Sequence, residues 1–358
     1  MKKKLISLFL ILSLMLCGCM ELSVSLPAPT QSQPALDPDS TGSNVLTVHY
    51  IDVGQADCIL LETDGEFMLI DGGNKEDGQL VVSYLQQQGV EELAAVICTH
   101  AHEDHVGGLP SVLAVYPTAA VYAPTKTYSS KIFDDFLYYV DQQRLEVTIP
   151  APGDEFLLGQ AKITILGPVK SYAETNDTSI VAKVDFLETS FLFTGDMETA
   201  AENDMLDYWG SRVDWNVDVL KVGHHGSTTS SGYRFVYETD PEYAIISVGE
   251  DNTYGHPHEP VLSRYADAGI PLFRTDELGT VLAVSDGYNI TVTWDNQNAA
   301  PSQVEPGETI TYIGNKNSKK LHIPSCANLP KADNQVLFDS YEEAIEAGYT
   351  PCGSCMGS

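Results

Sequence analysis

Positive charge is what this sequence has least of. Its 358 residues carry 19 Lys and Arg against 50 Asp and Glu, a formal net charge of -31. A field of that sign repels nucleic acid and anionic lipid at long range and counts against tight binding through a broad basic patch. Cysteine is sparse, with seven residues and no spacing that makes a disulfide framework. No internal repeat and no sustained apolar heptad appears, which excludes a solenoid or a long coiled coil. Histidine is absent from Val106 to Gly223. What is present is 43% hydrophobic residues, enough for a real core. The length suits one large domain with an appendage.

The N-terminus reads as targeting rather than fold. Met1-Lys2-Lys3-Lys4 is basic, and Leu5 to Leu16 is apolar but too short to span a bilayer comfortably. Leu16-Cys17-Gly18-Cys19 follows and resembles a bacterial lipobox, which implies a signal peptide over residues 1–19 and a lipid on Cys19. Residues 20–44 are rich in Pro, Ser, Thr and Gln, lack aromatics, and read as a flexible tether from the membrane. An extracytoplasmic, lipid-anchored protein is therefore expected.

From Val45 onward, short β-rich runs are broken by turns. Val45 to Ile51, Cys58 to Leu61, Phe67 to Ile70 and Leu93 to Cys98 read as strands, and Gln79 to Gln88 as a helix. Strands are also predicted over Lys162 to Leu166, Ser179 to Phe186, Phe191 to Thr194, Val217 to Lys221 and Tyr243 to Val248. Helices are predicted over Gly108 to Val115, Glu198 to Tyr208 and Pro257 to Ala268, and a terminal hairpin over Gly279 to Trp294. Strands and helices alternate imperfectly, so sheets covered by helices are expected. The organisation is then a domain over 45–295, a linker over 296–309 and a small module over 310–358.

The strongest chemical signal is His100-Ala-His102-Glu-Asp104-His105, three His and one Asp within six residues. On an extended loop, alternate residues point to one side, so His100 and His102 can grip one metal while Asp104 and His105 turn to a second. Imidazole and carboxylate suit zinc, manganese or iron. Thr99 to Gly108 resembles the H-x-H-x-D-H signature of the metallo-β-lactamase superfamily. Ile51-Asp-Val-Gly-Gln-Ala-Asp57, Leu69-Ile-Asp71, Phe193-Thr-Gly-Asp196, Leu220-Lys-Val-Gly-His224-His225-Gly-Ser227 and Tyr254-Gly-His256-Pro-His258 resemble, in the same order, the soluble domain of the ComEC competence family.

The resemblance implies an α+β fold, the four-layer αββα sandwich, with one or two divalent metals, zinc or manganese, between its sheets. It implies Asp196 as a bridging ligand and His225 as a further ligand. Asp71 is expected to orient a ligand His, and His224 to donate a proton or meet phosphate. Asn176, Ser227, His256 and His258 are expected around the substrate. Asn176 stands near the place where many members of the superfamily have another His, which turns the expectation away from lactam hydrolysis and opens a choice of manganese over zinc. Paired divalent metals lower the pKa of water and neutralise charge on non-bridging oxygens, so no Ser or Cys nucleophile is needed.

His322-x3-Cys326 and Cys352-x2-Cys355 offer two ligand pairs, as a closed structural zinc site requires. A module of this size needs such a staple. It resembles the zinc-binding domain of the DNA-repair protein Ada, most closely over Phe338 to Cys352. His322 stands where that family's methyl-accepting Cys would be, so alkyl transfer is not expected. Gly353 and Ser354 stand where basic residues would grip phosphate.

The expected activity is metal-dependent hydrolysis of a phosphodiester, with DNA as the leading partner. Choline-bearing teichoic acid is the second reading, and a non-catalytic DNA- or metal-binding surface module the third. The charge of -31 weighs against DNA, and no choline-binding repeat of Trp and Tyr supports the second.

Overall fold

The computed structural model describes residues 45–301, 311–324, 326–339, 341–353 and 355–356. Cys19, the signal segment and the tether lie outside the described residues, as do Ser354 and most of the linker. Among the described residues, no helix is long and apolar enough to cross a membrane.

Two sheets face each other. The first has eight strands, in spatial order Ile290–Trp294, Val281–Ser285, Leu46–Tyr50, Ile59–Thr63, Glu66–Ile70, Ala95–Ile97, Val121–Tyr122 and Val147–Thr148. The second has seven, in order Leu272–Arg274, Tyr243–Ile246, Val219–Lys221, Thr189–Phe193, Val181–Phe186, Ala161–Gly167 and Glu155–Leu158. Strand side chains alternate with period two, and here both faces are apolar. Met68 and Ile70 point into the space between the sheets, against Ile163, Val184 and Phe193. Phe67 and Leu69 point outward, under the helices Gly78–Gln87, Leu109–Val115 and Lys131–Gln142. The second sheet is covered in the same way by Thr199–Trp209, Tyr233–Thr239 and Glu259–Asp267. The result is the αββα sandwich.

Two covering helices lie outside the elements predicted above. Lys131–Gln142 follows a Tyr-Ser-Ser turn, where the Ser130 hydroxyl caps the Phe133 amide and Phe133, Phe136 and Val140 face the core. Tyr233–Thr239 is short and starts from a Gly without a side-chain cap. Tertiary packing, more than local propensity, makes that second helix.

The C-terminal module is a four-stranded sheet, Gln335–Phe338, Tyr312–Asn315, Lys320–His322 and Thr350–Pro351, with the helix Tyr341–Glu346. It shares a core with Tyr233, whose ring lies 5.9 Å from Tyr312 and 6.0 Å from Tyr341. The Arg264 guanidinium sits 4.8 Å over that same Tyr233 ring, and its Nη1 donates to the carbonyls of Ser230 and Ser231.

The turn before this docking helix is held by a buried acid. Glu202 accepts the Ser231 amide at 2.6 Å and the Gly232 amide at 2.8 Å. Burial pushes its carboxyl up to about 7, against the opposing pull of those amides and Arg264. A carboxyl raised in the folded state stabilises fully below its unfolded value and loses that contribution as pH rises through about 7. Denaturant melts from pH 5 to pH 8 should therefore show a fall in stability that Glu202→Gln reduces. An identical pH slope in the variant would refute this role.

Candidate metal centre

The strands Ala95–Ile97, Val219–Lys221 and Tyr243–Ile246 run parallel to a neighbour, and their carboxyl ends open at one edge of the sandwich. That edge is where open α/β sheets place ligands, because loops from several strands converge there. Cys98 to His105 follows the first of these strands, Thr194 to Glu198 leaves Thr189–Phe193, and Gly223 to Gly226 leaves Val219–Lys221. The loops come close at a few glycines. A Cβ on Gly108 would stand 1.9 Å from the Gly72 carbonyl oxygen, and one on Gly226 would meet Pro257 Cβ at 2.5 Å.

Asp196 is the meeting point. Its Oδ2 lies 3.9 Å from His100 Nε2 and 3.7 Å from His224 Nε2. Its Oδ1 lies 3.2 Å from His105 Nε2 and 3.6 Å from His225 Nε2. His102 Nδ1 closes on His100 Nε2 at 3.0 Å, and Asp104 Oδ2 lies 3.4 Å from His225 Nε2. The carboxylate thus straddles two groups of nitrogens.

One group tests directly for a cation. Ligand atoms of Asp104, His105, Asp196 and His225 all lie within 4.8 Å of one another. His105 Nε2, His225 Nε2 and Asp196 Oδ1 are sealed from water without a hydrogen bond. Buried polar atoms left this way cost stability unless a ligand meets them. Two imidazoles and two carboxylates fit a divalent metal. Electrostatics agree. Burial by itself would lower His105 and His225, yet Asp196 and other carboxylates outweigh it and push His225 up to about 10. A field that strong also favours a cation.

Other residues hold this set from behind. Asp71 is fully buried, and its Oδ2 takes His105 Nδ1 at 2.8 Å and the Thr99 hydroxyl at 2.6 Å. It orients His105 and does not face the opening, so it is a positioning residue rather than a catalytic one. The His225 Nδ1 meets the Ser247 carbonyl at 2.9 Å. Asp71, His224 and His225 all have positive φ, at 58°, 50° and 51°. Non-glycine residues enter that region at a cost, and here tertiary contacts hold them in it.

Several expected residues sit differently from their assigned roles. Ser227 is buried, its hydroxyl 3.1 Å from Thr229 Oγ1, so it braces its own loop. The His224 Nδ1 lies 3.0 Å from Thr229 Oγ1 and 3.5 Å from Glu198 Oε1, which leaves Nε2 facing Asp196. Burial lowers the His224 imidazole below its ordinary value, against the opposing pull of Asp196 and Glu198. Asn176 does reach the site: Nδ2 lies 3.4 Å from His224 Nε2, and Oδ1 is buried and unpartnered. His256 faces the opening, with its ring 5.6 Å from His224 and 6.5 Å from His225. His258 accepts the Thr228 amide at 3.1 Å and thereby ties two loops together.

Two residues escaped sequence reasoning although both stand in the quoted segments. Lys221 is wholly buried, and its Nζ meets Asp57 Oδ2 at 2.8 Å. Asp57 Oδ1 lies 3.4 Å from His225 Nδ1, and its Oδ2 lies 3.9 Å from His105 Nδ1. Burial would raise the Asp57 carboxyl, but Lys221 and His225 outweigh it and hold it below the usual carboxylate range. The available signal was a Lys inside the apolar run Val217 to Val222. A third, Glu198, stands two residues after Asp196 and accepts from Asn176 Nδ2 at 3.2 Å.

In the C-terminal module, ligand atoms of His322, Cys326, Cys352 and Cys355 also lie within 4.8 Å of one another. The His322 Nε2 is buried and unpartnered. The donor set of one nitrogen and three sulfurs fits a structural zinc.

Removing Lys221 leaves Asp57 charged and unpaired. Lys221→Met should destabilise the protein by about 3–5 kcal/mol in urea melts. It should also weaken manganese or zinc binding about 10- to 100-fold by calorimetry, since the support behind His225 is lost. The double variant Asp57→Leu/Lys221→Met should regain stability while keeping the metal defect. Wild-type metal affinity in the double variant would refute the positioning role.

With this geometry in place, comparison with known proteins is informative. Residues 51–250 match the family model of the metallo-beta-lactamase superfamily, and residues 308–357 match the metal binding domain of Ada. ComE operon protein 3 of Bacillus subtilis is 30% identical over 204 residues, which is 57% of this chain and 26% of that protein. Competence protein ComA of Neisseria gonorrhoeae is 31% identical over 245 residues, 68% of this chain and 33% of that one. The chain thus spans about a quarter to a third of the length of these curated relatives. Among solved structures, the metallo-beta-lactamase fold protein YhfI of Bacillus subtilis is 13% identical, with a TM-score of 0.47 over 67% of this chain and 99% of that one. The chain belongs to the metallo-beta-lactamase superfamily of metal-dependent hydrolases and carries an Ada-like zinc-binding module at its C-terminal end.

Proposed function

We propose that this protein is an extracytoplasmic, metal-dependent phosphodiesterase that cleaves DNA. The observation that carries the reading is Asp196, one carboxylate with each oxygen turned to a different set of nitrogens. In this reading Asp104, His105, His225 and Asp196 Oδ1 hold one divalent metal. His100, His102 and Asp196 Oδ2 hold a second, with His224 Nε2 as a further donor. Such a pair supplies an activated water and charge neutralisation at a transferring phosphoryl group.

The chain's own residues set the rest. Asp71 fixes the tautomer of His105, and the Ser247 carbonyl that of His225, each by accepting at Nδ1. Glu198 and Thr229 fix His224 at its Nδ1. Asn176 places an amide oxygen where nothing else meets it, beside His224. Relatives named for competence support DNA as the substrate, and the Ada-like module is compatible with it. The lipobox-like Leu16-Cys17-Gly18-Cys19 supports an anchor through Cys19.

The test uses the mature chain with manganese or zinc, on plasmid, single-stranded DNA and p-nitrophenyl phosphorylcholine. DNA cleavage is expected, reduced on the order of 100-fold in His102→Ala. Turnover of the choline ester alone would move the assignment to choline-bearing teichoic acid. No metal-dependent turnover of any substrate would leave a binding module. Mass spectrometry of membrane fractions should find an acylated N-terminal Cys19, and a soluble unlipidated product would overturn the anchor.

A further inference from the structure

A phosphodiesterase that acts on nucleic acid must hold its substrate, and this one lacks the usual means. Five segments carry most of the side chains that face the site: Thr99 to Gly108, Thr175 to Ser179, Thr194 to Thr199, Gly223 to Gly232 and Gly249 to His258. None of these five contains a Lys or Arg, and Lys75, Lys126 and Lys131 stand on or next to the flanking Asp71 and Tyr128 loops. The buried Lys221 is already engaged by Asp57. Affinity from counterion release by basic side chains is therefore not built into these five segments. The remaining means of gripping a nucleotide chain is stacking on its bases, which needs no positive charge.

The structure offers one aromatic surface in the right place. Tyr254 is 67% exposed, among the most exposed large side chains in the described protein. Its ring lies 5.6 Å from His256 at an interplanar angle of 24°, a stacked pair. The His256 ring is in turn near-parallel to that of His225, at 6.5 Å and 25°. Three rings step outward from the metal centre to solvent, and the last has a face open to water.

This surface is held in place. Asn252 Oδ1 accepts the amides of Tyr254 at 3.2 Å and His256 at 3.0 Å, while its Nδ2 donates to the carbonyls of Gly249 and His256. One side chain thus pins the backbone on both sides of the loop. Gln55 braces it from the loop between Leu46–Tyr50 and Ile59–Thr63, with Nε2 3.4 Å from His256 Nδ1 and Oε1 accepting the Gly249 amide. A rigid platform loses little entropy on binding. On the other flank, Tyr128 stands edge-on to His102 at 6.3 Å and has no such open stack.

We propose that Tyr254, stacked on His256 at the mouth of the metal centre, is the platform for an unpaired base next to the scissile phosphodiester. This rests on the nuclease reading above and narrows it to single-stranded nucleic acid or frayed ends, because a base inside a duplex exposes no face to a side chain. It also reconciles a strongly acidic protein with a polyanionic substrate. The contact is apolar, and the metals carry the charge.

The test compares manganese-loaded wild type, Tyr254→Ala and Tyr254→Phe on two oligonucleotides of equal length, one of thymidines and one with abasic sites flanking the cleavable linkage. Wild type is expected to show a lower KM for the base-bearing strand, on the order of ten-fold. Tyr254→Ala should bring the KM ratio towards one, and Tyr254→Phe should restore it, because the ring and not the hydroxyl does the stacking. If wild type cleaves both strands but Tyr254→Ala keeps the full preference, or if wild type shows no preference, the platform is refuted and the nuclease reading stands. If wild type cleaves neither strand yet hydrolyses bis(p-nitrophenyl) phosphate, the nuclease reading fails and the platform falls with it.

Discussion

Negative charge that cannot be dispersed into water governs this structure. Asp57, Asp71 and Asp196 are buried side by side, with Asp104 at the edge of the same space. In a medium of low polarity such a set is strongly unfavourable unless cations meet it. The protein provides one fixed cation, Lys221, and a set of imidazoles whose outward nitrogens converge. Everything else at that edge serves to hold the acids and the imidazoles in register.

The scaffold makes this possible by separating tasks. The two sheets and their covering helices bury apolar side chains on both faces and carry the stability. The loops at the carboxyl ends of the strands can then tolerate five non-glycine residues with positive φ, Asp71, His224, His225, Ser231 and Asp251, and several unpaired polar atoms. Such a division is common where local stability is exchanged for a site that binds a ligand.

The C-terminal module is joined to this scaffold through chemistry quite unlike its metal cluster. Tyr233 lies in the module's core, and Arg264 covers its ring while donating to the Ser230 and Ser231 carbonyls. Those residues close the loop that begins at His224. The module therefore packs against the helix that follows the late His loop, and Glu202 ties down the turn between them.

The sequence by itself determined the fold class and most of the residues that converge at the metal centre, because both are written in local patterns. Period-two apolar runs mark strands such as Phe67 to Ile70, and a cluster like His100 to His105 has few uses other than metal. It also marked the four residues that cluster in the module, His322, Cys326, Cys352 and Cys355, because their paired spacings suit a closed site. Tertiary structure alone decided what each polar residue faces. Ser227 turns into its own loop, His224 gives its Nδ1 to Thr229 and Glu198, and Asp71 stands behind His105. Lys221 and Asp57 are 164 positions apart and become one ion pair only when the two sheets close. Tyr254 is an unremarked loop residue until His256 and His225 line up beneath it. The physical reason is the same each time. A residue's type fixes what it can bind, but its partner is set by packing between distant segments, which no local pattern encodes.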